Sequence, residues 1–312
     1  MTVYVLDPWY PKAIARARKL FSKVILHTDP DFAGWQQKAR AILVRGSSIT
    51  AFDVAKCPNL VAIGKHGVGI EKIDQAACAE RNIKILNTPG ANAQAVAEVV
   101  VALALSVARN IPAIYTRQVA GGEAVHKQTC SGLTLHRKTV GVVGMGNIGR
   151  CVARILQRGF DAEIVAYDPY MPASASTDGP WSEIPHRRVD SVAEMLGIVD
   201  VLTVHVPLTA ETRDMIAYQE LCSMKSTAIV LNGSRGGIVN EDDLERALRE
   251  GKIWGAGLDA HEQEPPTRER YGKLWELPNV VSTPHIGAAT EDAQLASAIG
   301  AVDNLYNYLV TL

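Results

Sequence analysis

The chain has 312 residues, a length that favours two domains over one. Hydrophobic residues make up 47% of it and charged residues 21%, a composition typical of soluble globular proteins. The formal net charge of -1 argues against nucleic acid or a membrane surface as a general partner.

The first residues lack the basic start and apolar run of a signal peptide, and the longest apolar stretch, 96–108, is too short to cross a membrane. A cytoplasmic protein is therefore expected. The five cysteines are widely spaced, contain no Cys-x-x-Cys pair and belong to no cluster of metal-ligating residue types. Reduced thiols and no metal site are expected.

Short β-rich runs alternate with helical stretches over the first hundred residues, the pattern of a parallel sheet with crossover helices. The predicted strands are 3–7, 23–28, 41–46, 60–67 and 84–88, and the predicted helices include 11–21 and 71–81. A long apolar helix, 93–110, and a polar, irregular loop, 121–136, are predicted to follow.

A second alternating series begins at residue 139, and several of its runs are continuously apolar, as in strands covered on both faces. Its predicted strands are 139–144, 163–168, 200–206, 227–233, 254–259 and 279–283. The stretch 171–187, rich in Pro and Ser, is predicted to be a loop, and the last helix, 291–309, to fold back onto the first domain. The fold class is α/β, with two doubly wound parallel-sheet domains, 1–95 with 287–312, and 96–286.

A glycine-rich turn, GMGNIG at 144–149, matches the Gly-x-Gly-x-x-Gly pattern of dinucleotide-binding domains. It follows a predicted strand and opens a helical stretch that starts with Asn147 and Ile148. Gly144 would allow the tight turn, Gly146 the approach of a pyrophosphate, and Gly149 close packing of helix on sheet. The N–H groups at the start of the helix would face the phosphates.

An acidic residue, Asp168, ends the next predicted strand, where dinucleotide-binding domains place the group that binds the ribose hydroxyls. Its charge would repel the extra phosphate of NADP, and no arginine follows before Arg187. NAD is therefore the predicted cofactor.

Polar residues follow three later strands, where ligands bind in an open parallel sheet. We expect Arg235, Asp259, Glu264 and His285 to converge at that edge.

Taken together, the chain resembles the D-isomer-specific 2-hydroxyacid dehydrogenase family over nearly its whole length. Within the family it is most similar to the catalytic portion of 3-phosphoglycerate dehydrogenases. The resemblance lies in GKHGVGIEKID (64–74), NTPGANAQAVAE (87–98), GMGNIG (144–149), HVPLTAET (205–212), NGSRGGIVNE (232–241), GLDAHEQEPP (257–266) and TPHIGAAT (283–290). It implies a flavodoxin-like substrate domain and a Rossmann NAD-binding domain. It also implies a homodimer, with the helix 93–110 and the loop 121–136 as the expected interface; a purely core helix is the alternative.

The resemblance further implies Arg235, Glu264 and His285 as catalytic residues acting on a small 2-keto or 2-hydroxy acid. His285 would donate or accept the proton, since imidazoles titrate near neutral pH. Glu264 would hold the imidazole and favour its charged form. Arg235 would bind the substrate carboxylate and polarise the keto oxygen.

Other residues are expected around the cofactor by the same resemblance. His205, Val206 and Pro207 would contribute to its site, and Asp259 would support the nicotinamide pocket. His261 and Glu262 are expected to be solvated loop residues.

For the substrate, the turn at 66–69 is expected to expose N–H groups that could bind a carboxylate, and the resemblance implies Val68 and Gly69 for this role; a plain strand-to-helix turn is the alternative. Arg45 is a second candidate anion contact, or else a surface residue. Departures from the phosphoglycerate-type relatives at 121–130 and 171–187 leave the acid open among glyoxylate, hydroxypyruvate and bulkier 2-keto acids.

Two alternatives stand beside this hypothesis. Formate and phosphite dehydrogenases share the architecture, but the formate type has a glutamine where this chain has Glu264. An NAD-sensing scaffold, such as a transcriptional corepressor, would keep the same residues with weak or no dehydrogenase activity.

Overall fold

The computed structural model describes residues 1–122, 124–171 and 179–312 of the chain. These residues form two compact α/β units, Met1–Asn92 with Ala289–Leu312, and Ala93–Ala288. The domain boundaries expected from the sequence lie within a few residues of these divisions.

The helices and strands are short and alternate along both units. The described strands are β1 Thr2–Val5, β2 Lys23–Leu26, β3 Ala41–Val44, β4 Ala62–Lys65, β5 Lys84–Leu86, β6 Thr139–Val143, β7 Glu163–Tyr167, β8 Arg187–Arg188, β9 Val201–Val204, β10 Ile229–Asn232, β11 Gly255–Leu258 and β12 Val280–Ser282. The described α-helices are α1 Pro11–Leu20, α2 Trp35–Lys38, α3 Ala51–Ala55, α4 Gln75–Glu80, α5 Ala93–Ala108, α6 Ile111–Ala120, α7 Asn147–Phe160, α8 Ala193–Leu196, α9 Tyr218–Cys222, α10 Glu241–Arg249, α11 Arg268–Trp275 and α12 Glu291–Leu309.

In the first unit, the described strands pair in parallel in the order β2-β1-β3-β4-β5. This is the flavodoxin-like order. Along β3, Ile42 and Val44 belong to one apolar core and Ala41 and Leu43 to the other, so the sheet is covered on both faces. The helix α12 packs on β4 so closely that a Cβ at Gly64 would lie 3.0 Å from the carbonyl oxygen of Ala301.

In the second unit, the described strands are again parallel, in the order β12-β11-β10-β9-β6-β7-β8. The order on either side of β6 is that of a Rossmann domain with one further strand, β12. The two parallel sheets confirm the predicted α/β fold class.

The long apolar helix α5 is a core helix of this second unit. It lies on β10 and β11 with little space between, since a Cβ at Gly233 would lie 2.6 Å from the Cγ2 of Val100, and one at Gly257 would lie 2.9 Å from the Cβ of Leu103. Eight of its 16 residues are buried and account for much of its apolar character, as expected of a core helix. Among the described helices, none is by itself long and apolar enough to cross a membrane, although α5 and α6, which meet at a 63° bend, pass that test as a pair.

Several predicted boundaries were wrong. The helix predicted from residue 71 begins at Gln75, because the Asp74 side chain caps it by accepting a hydrogen bond from the N–H of Ala77 at 2.9 Å. Within the predicted loop 121–136, Lys127–Thr129 forms a 3-10 turn. Of the predicted loop 171–187, residues 172–178 lie outside the described residues, Gly179–Trp181 is a 3-10 turn, and residue 187 starts β8.

Candidate active site

The predicted catalytic residues follow three neighbouring strands of the second unit. Arg235 follows β10, Glu264 follows β11 and His285 follows β12. Because these strands are adjacent and parallel, their loops leave the same edge of the sheet. The loops after β10 and β11 touch at Gly236, where a Cβ would lie 1.9 Å from the carbonyl carbon of His261. Only glycine permits that approach.

The structure brings His285 and Glu264 into direct contact. The Nδ1 atom of His285 lies 2.9 Å from both Oε1 and Oε2 of Glu264. The two side chains are 39% and 38% exposed, so both remain accessible to a ligand. With Nδ1 donating to the carboxylate, Nε2 is the ring atom that can exchange a proton with a bound acid.

Asp259 holds the segment that carries His285. Its buried carboxylate accepts hydrogen bonds from Thr283 Oγ1 at 2.6 Å and from the N–H groups of Ile286 and Gly287, both at 2.8 Å. His285 has a φ of 57°, in the left-handed region that non-glycine residues seldom adopt. The bonds to Asp259 hold the chain on both sides of that residue, a role that sequence reasoning did not assign to it.

Arg235 lies on a turn held by Asn232, the last residue of β10. The Asn232 side chain donates to the carbonyl of Arg235 at 2.8 Å and accepts from the N–H and hydroxyl of Ser234 at 3.1 and 2.9 Å. The half-buried guanidinium of Arg235 donates to the carbonyl of Ser234 at 2.8 Å. The turn is therefore fixed from the end of the strand.

One expectation near this site was wrong. His261, predicted to be solvated, is buried, and its Nε2 lies 2.8 Å from the hydroxyl of Ser282. Its ring meets Tyr271 edge-on at 5.0 Å, so an aromatic side chain from α11 covers it. Burial lowers the pKa of His261 and keeps its ring neutral near pH 7. Glu262, by contrast, is exposed, as expected, and pairs with Arg213 at 3.0 Å.

The glycine-rich turn has the geometry that a dinucleotide requires. Gly144 has a φ of 91°, and a Cβ on it would lie 2.6 Å from the carbonyl oxygen of His205. A Cβ at Gly149 would lie 1.9 Å from the carbonyl oxygen of Gly144, whereas one at Gly146 would meet nothing within 4 Å. No side chain caps the start of α7 at Asn147, which leaves its first N–H groups for an anion. The residues present therefore fit a bound pyrophosphate.

Asp168 and Trp181 hold the residue between the first two glycines. Asp168 accepts from the N–H groups of Met145 and Tyr170, each at 2.9 Å, and the indole of Trp181 donates to the carbonyl of Met145 at 2.9 Å. Each carboxylate oxygen of Asp168 can accept a second hydrogen bond, for example from a ribose hydroxyl. Sequence reasoning missed Trp181, because it lies within the stretch 171–187 that was predicted to be a loop.

The segment after β9 lies beside this turn. His205 Nε2 bonds to Thr203 Oγ1 at 2.8 Å, and its buried Nδ1 has no hydrogen-bond partner in the described part of the chain. Burial lowers the pKa of His205 to about 3, so its ring is neutral. Val206 also lies near Gly144, and Pro207 accepts from the hydroxyl of Thr212 at 2.6 Å.

In the first unit, the predicted substrate residues occupy loops at the carboxyl ends of β3 and β4. Across the described residues, the N–H groups of Val68 and Gly69 have no acceptor, while the Val68 carbonyl accepts from Asn87 at 2.7 Å. Arg45 donates to the side chain of Gln294 at 3.2 Å and lies 5.4 Å from the ring centre of Tyr10. These contacts orient the guanidinium, but Arg45 is exposed, so the alternative of a surface residue stays open beside that of an anion contact.

A metal centre is not evident in the described part of the chain, where no three His, Cys, Asp or Glu side chains are grouped to hold an ion.

Comparison with known proteins identifies the family. The family model described as D-isomer specific 2-hydroxyacid dehydrogenase, NAD binding domain, matches residues 101–287. The chain belongs to this family. The match confirms the predicted family and assigns NAD binding to the second unit's Rossmann domain.

Individual proteins that the chain is similar to also point to this dehydrogenase family. The D-3-phosphoglycerate dehydrogenase of Methanocaldococcus jannaschii is 39% identical over 260 residues, 83% of this chain and 48% of the relative, so the chain spans about half of its length. The hydroxypyruvate reductase of Thermotoga maritima is 38% identical over 269 residues, 86% of this chain and 84% of the relative. The structure of D-lactate dehydrogenase from Aquifex aeolicus, complexed with NAD and lactic acid, is similar with a TM-score of 0.80 and 26% identity. The superposition covers 100% of this chain and 96% of the lactate dehydrogenase chain.

Proposed function

We propose that this protein is an NAD-dependent oxidoreductase that transfers a hydride between the nicotinamide and a small 2-keto or 2-hydroxy acid. The observation that carries the proposal is the contact of His285 with both oxygens of Glu264, at the carboxyl edge of the sheet of a family NAD-binding domain. Both side chains of this pair are partly exposed, and the strained backbone of His285 is held in place by the buried carboxylate of Asp259. This arrangement fits proton transfer better than structural support.

Bound NADH supplies the hydride for the carbonyl carbon. His285 gives the proton that the carbonyl oxygen then needs, from Nε2, and takes it back when the hydroxy acid is oxidised. Glu264 stabilises the charged ring through Nδ1 and fixes its orientation. Arg235 binds the carboxylate of the acid and draws electron density from the keto oxygen, with Val68, Gly69 and Arg45 as further contacts for the acid.

The preference for NAD over NADP rests on Asp168. Its carboxylate is held by two backbone N–H groups and stays at the end of β7, where a 2′-phosphate would meet its charge. Asp259, His205, Val206 and Pro207 complete the proposed cofactor site.

A homodimer and a cytoplasmic location belong to the same proposal. Ile111, Tyr115 and Val119 follow one another at four-residue spacing along α6, and each is more than half exposed. Large apolar side chains in a row on one helix face fit a subunit interface. All five cysteines are free thiols, which fits a reducing compartment.

A panel assay tests the proposed reaction. The purified protein is mixed with NADH and, in turn, with glyoxylate, hydroxypyruvate, pyruvate, phenylpyruvate and phosphohydroxypyruvate, while absorbance follows NADH oxidation. Turnover of at least one acid is expected, and the order of kcat/KM values ranks the substrates. Tight NADH binding with no turnover of any acid would instead support the NAD-sensing scaffold.

A further inference from the structure

The segment that carries Glu264 has no helix or strand of its own, yet the five N–H groups that precede Glu264 all have acceptors. The N–H groups of residues 259 and 260 donate to the Asn232 carbonyl at 2.9 and 3.4 Å. The next three donate to side chains: His261 to Glu264 at 3.3 Å, Glu262 to Glu241 at 2.7 Å, and Gln263 to Tyr271 at 2.9 Å. Five successive N–H groups thus have acceptors, which an ordinary surface loop does not need.

Glu241 provides the shortest of these bonds. It is the first residue of α10 and only 5% exposed, and burial raises the pKa of its carboxyl. Its Oε2 has no hydrogen-bond partner within the described residues, whereas Oε1 accepts from the N–H of Glu262, and the carboxyl also interacts with the hydroxyl of Tyr271. A buried carboxyl destabilises a fold unless it is bonded, which points to a purpose at this backbone contact.

Tyr271 and His261 form the other half of the arrangement. Tyr271, 2% exposed, accepts from the N–H of Gln263, and burial raises the pKa of its hydroxyl to about 12, so it stays protonated. Its ring packs against His261, which bonds to Ser282 at the end of β12. Since His285 follows Ser282 by three residues, His261 joins the Glu264 segment to the strand that leads to His285.

We propose that Glu241, Tyr271 and His261 form a clamp that positions the Glu264 carboxylate against Nδ1 of His285. The three are positioning residues, since each bonds the backbone or side chains around the pair and none touches the imidazole of His285 in the described structure. The inference rests on the proposed function for its effect on turnover, but the geometry it describes can be measured without turnover.

Two substitutions at Glu241 distinguish the effect of its hydrogen bond to the Glu262 N–H from the effect of its charge. Glu241→Gln keeps an oxygen acceptor for Glu262, whereas Glu241→Ala removes it. We expect Glu241→Ala to lower kcat about 10- to 100-fold, the effect of a displacement on the order of 1 Å, with KM for the acid and the affinity for NADH changed less than about threefold. Glu241→Gln should restore kcat to within about threefold of the unmodified protein.

Tyr271→Phe removes one hydroxyl and keeps the ring against His261, and is expected to lower kcat about tenfold. Tyr218→Phe is the matched control, because the Tyr218 hydroxyl bonds Glu250 on the surface and contacts nothing in the clamp.

A second measurement needs no substrate. The Nδ1 proton of His285, bonded to a carboxylate, should give a downfield NMR signal that Glu264→Ala abolishes. Faster exchange of that proton with water in Glu241→Ala and Tyr271→Phe, but not in Tyr218→Phe, supports the clamp. Unchanged exchange in both folded clamp variants overturns it. If the unmodified protein turns over no acid, the proposed function fails while this signal still decides the inference.

Discussion

Three histidines of the second unit differ in their surroundings. His285 is exposed and bonded to Glu264, whereas His261 is buried and His205 is half-buried. Burial lowers the pKa of both, that of His205 to about 3, and keeps them neutral where the family's chemistry would run. Of the three, His285 is therefore the one whose ring lies open to a ligand.

Asp168 carries a prediction at the same scale. Asp168→Asn keeps an oxygen acceptor but removes the charge, so the repulsion of a 2′-phosphate should disappear. The ratio of kcat/KM with NADH to kcat/KM with NADPH should fall about tenfold or more. Steady-state assays with both cofactors measure it, and equal efficiency of the unmodified protein with the two cofactors would remove the predicted NAD preference.

Sequence patterns predicted that Arg235, Glu264 and His285 lie at one edge of the sheet, because each follows a buried parallel strand, and the resemblance to the family implied their catalytic roles. They were not enough for His261. Its burial depends on Tyr271, which lies on α11, ten residues farther along the chain. The sequence around His261 does not indicate that an aromatic ring from another element packs against it. The bonds of Asp259 to Ile286 and Gly287 depend in the same way on the pairing of β11 with β12.

At the scale of elements, the junction of β6 and α7 contains one glycine that packing requires, Gly149, and one, Gly146, that has open space around it. Gly149→Ala should destabilise the protein by about 3 kcal/mol, because its Cβ would meet the backbone of Gly144 at 1.9 Å. Gly146→Ala, with open space around its Cβ, should change the free energy of unfolding by less than about 0.5 kcal/mol. It should nevertheless weaken NADH binding about tenfold or more, since the methyl group would stand where the pyrophosphate approaches.

Denaturant unfolding and NADH fluorescence titration, run on both variants, measure the two effects. Each variant is the other's control. The account of this junction is contradicted if Gly146→Ala binds NADH as tightly as the unmodified protein does.

Hydrophobic runs predicted most of the helices and strands, but they did not predict where these elements begin and end. The start of α4 was placed four residues too early because apolar periodicity says nothing about which side chain caps the helix, and Asp74 does so. The strand β8 has two exposed residues, too few for a periodic signal. The helix α6 begins after Asn110, whose φ of 50° breaks the run of α5, and a pattern of apolar residues alone does not show that bend.

At the scale of the whole molecule, the exposed row on α6 predicts self-association. The protein should sediment as a dimer at micromolar concentration, and Tyr115→Glu should shift it to a monomer, because like charges would face each other across a two-fold interface. Phe52→Glu replaces an equally exposed aromatic residue in the first unit and should leave the dimer intact. A monomeric unmodified protein at that concentration removes the dimer proposal.

The alternation of strands and helices predicted two parallel sheets, which the structure confirms, but alternation does not determine strand order. The orders around β1 and β6 depend on which neighbours each crossover reaches, and the resemblance to a family supplied that information. Neither the alternation nor the resemblance determines the acid of the proposed reaction, because the choice of acid depends on how side chains such as Arg45 contact a ligand.

The most direct test of the central claim is the rate of His285→Ala with the best acid of the panel. Loss of the proton donor should lower kcat/KM about 10²- to 10⁴-fold, the usual contribution of a general acid, while the dissociation constant for NADH stays within about twofold. Near-normal turnover in this variant, with unchanged NADH binding, would contradict the assignment of His285 and with it the proposed proton route.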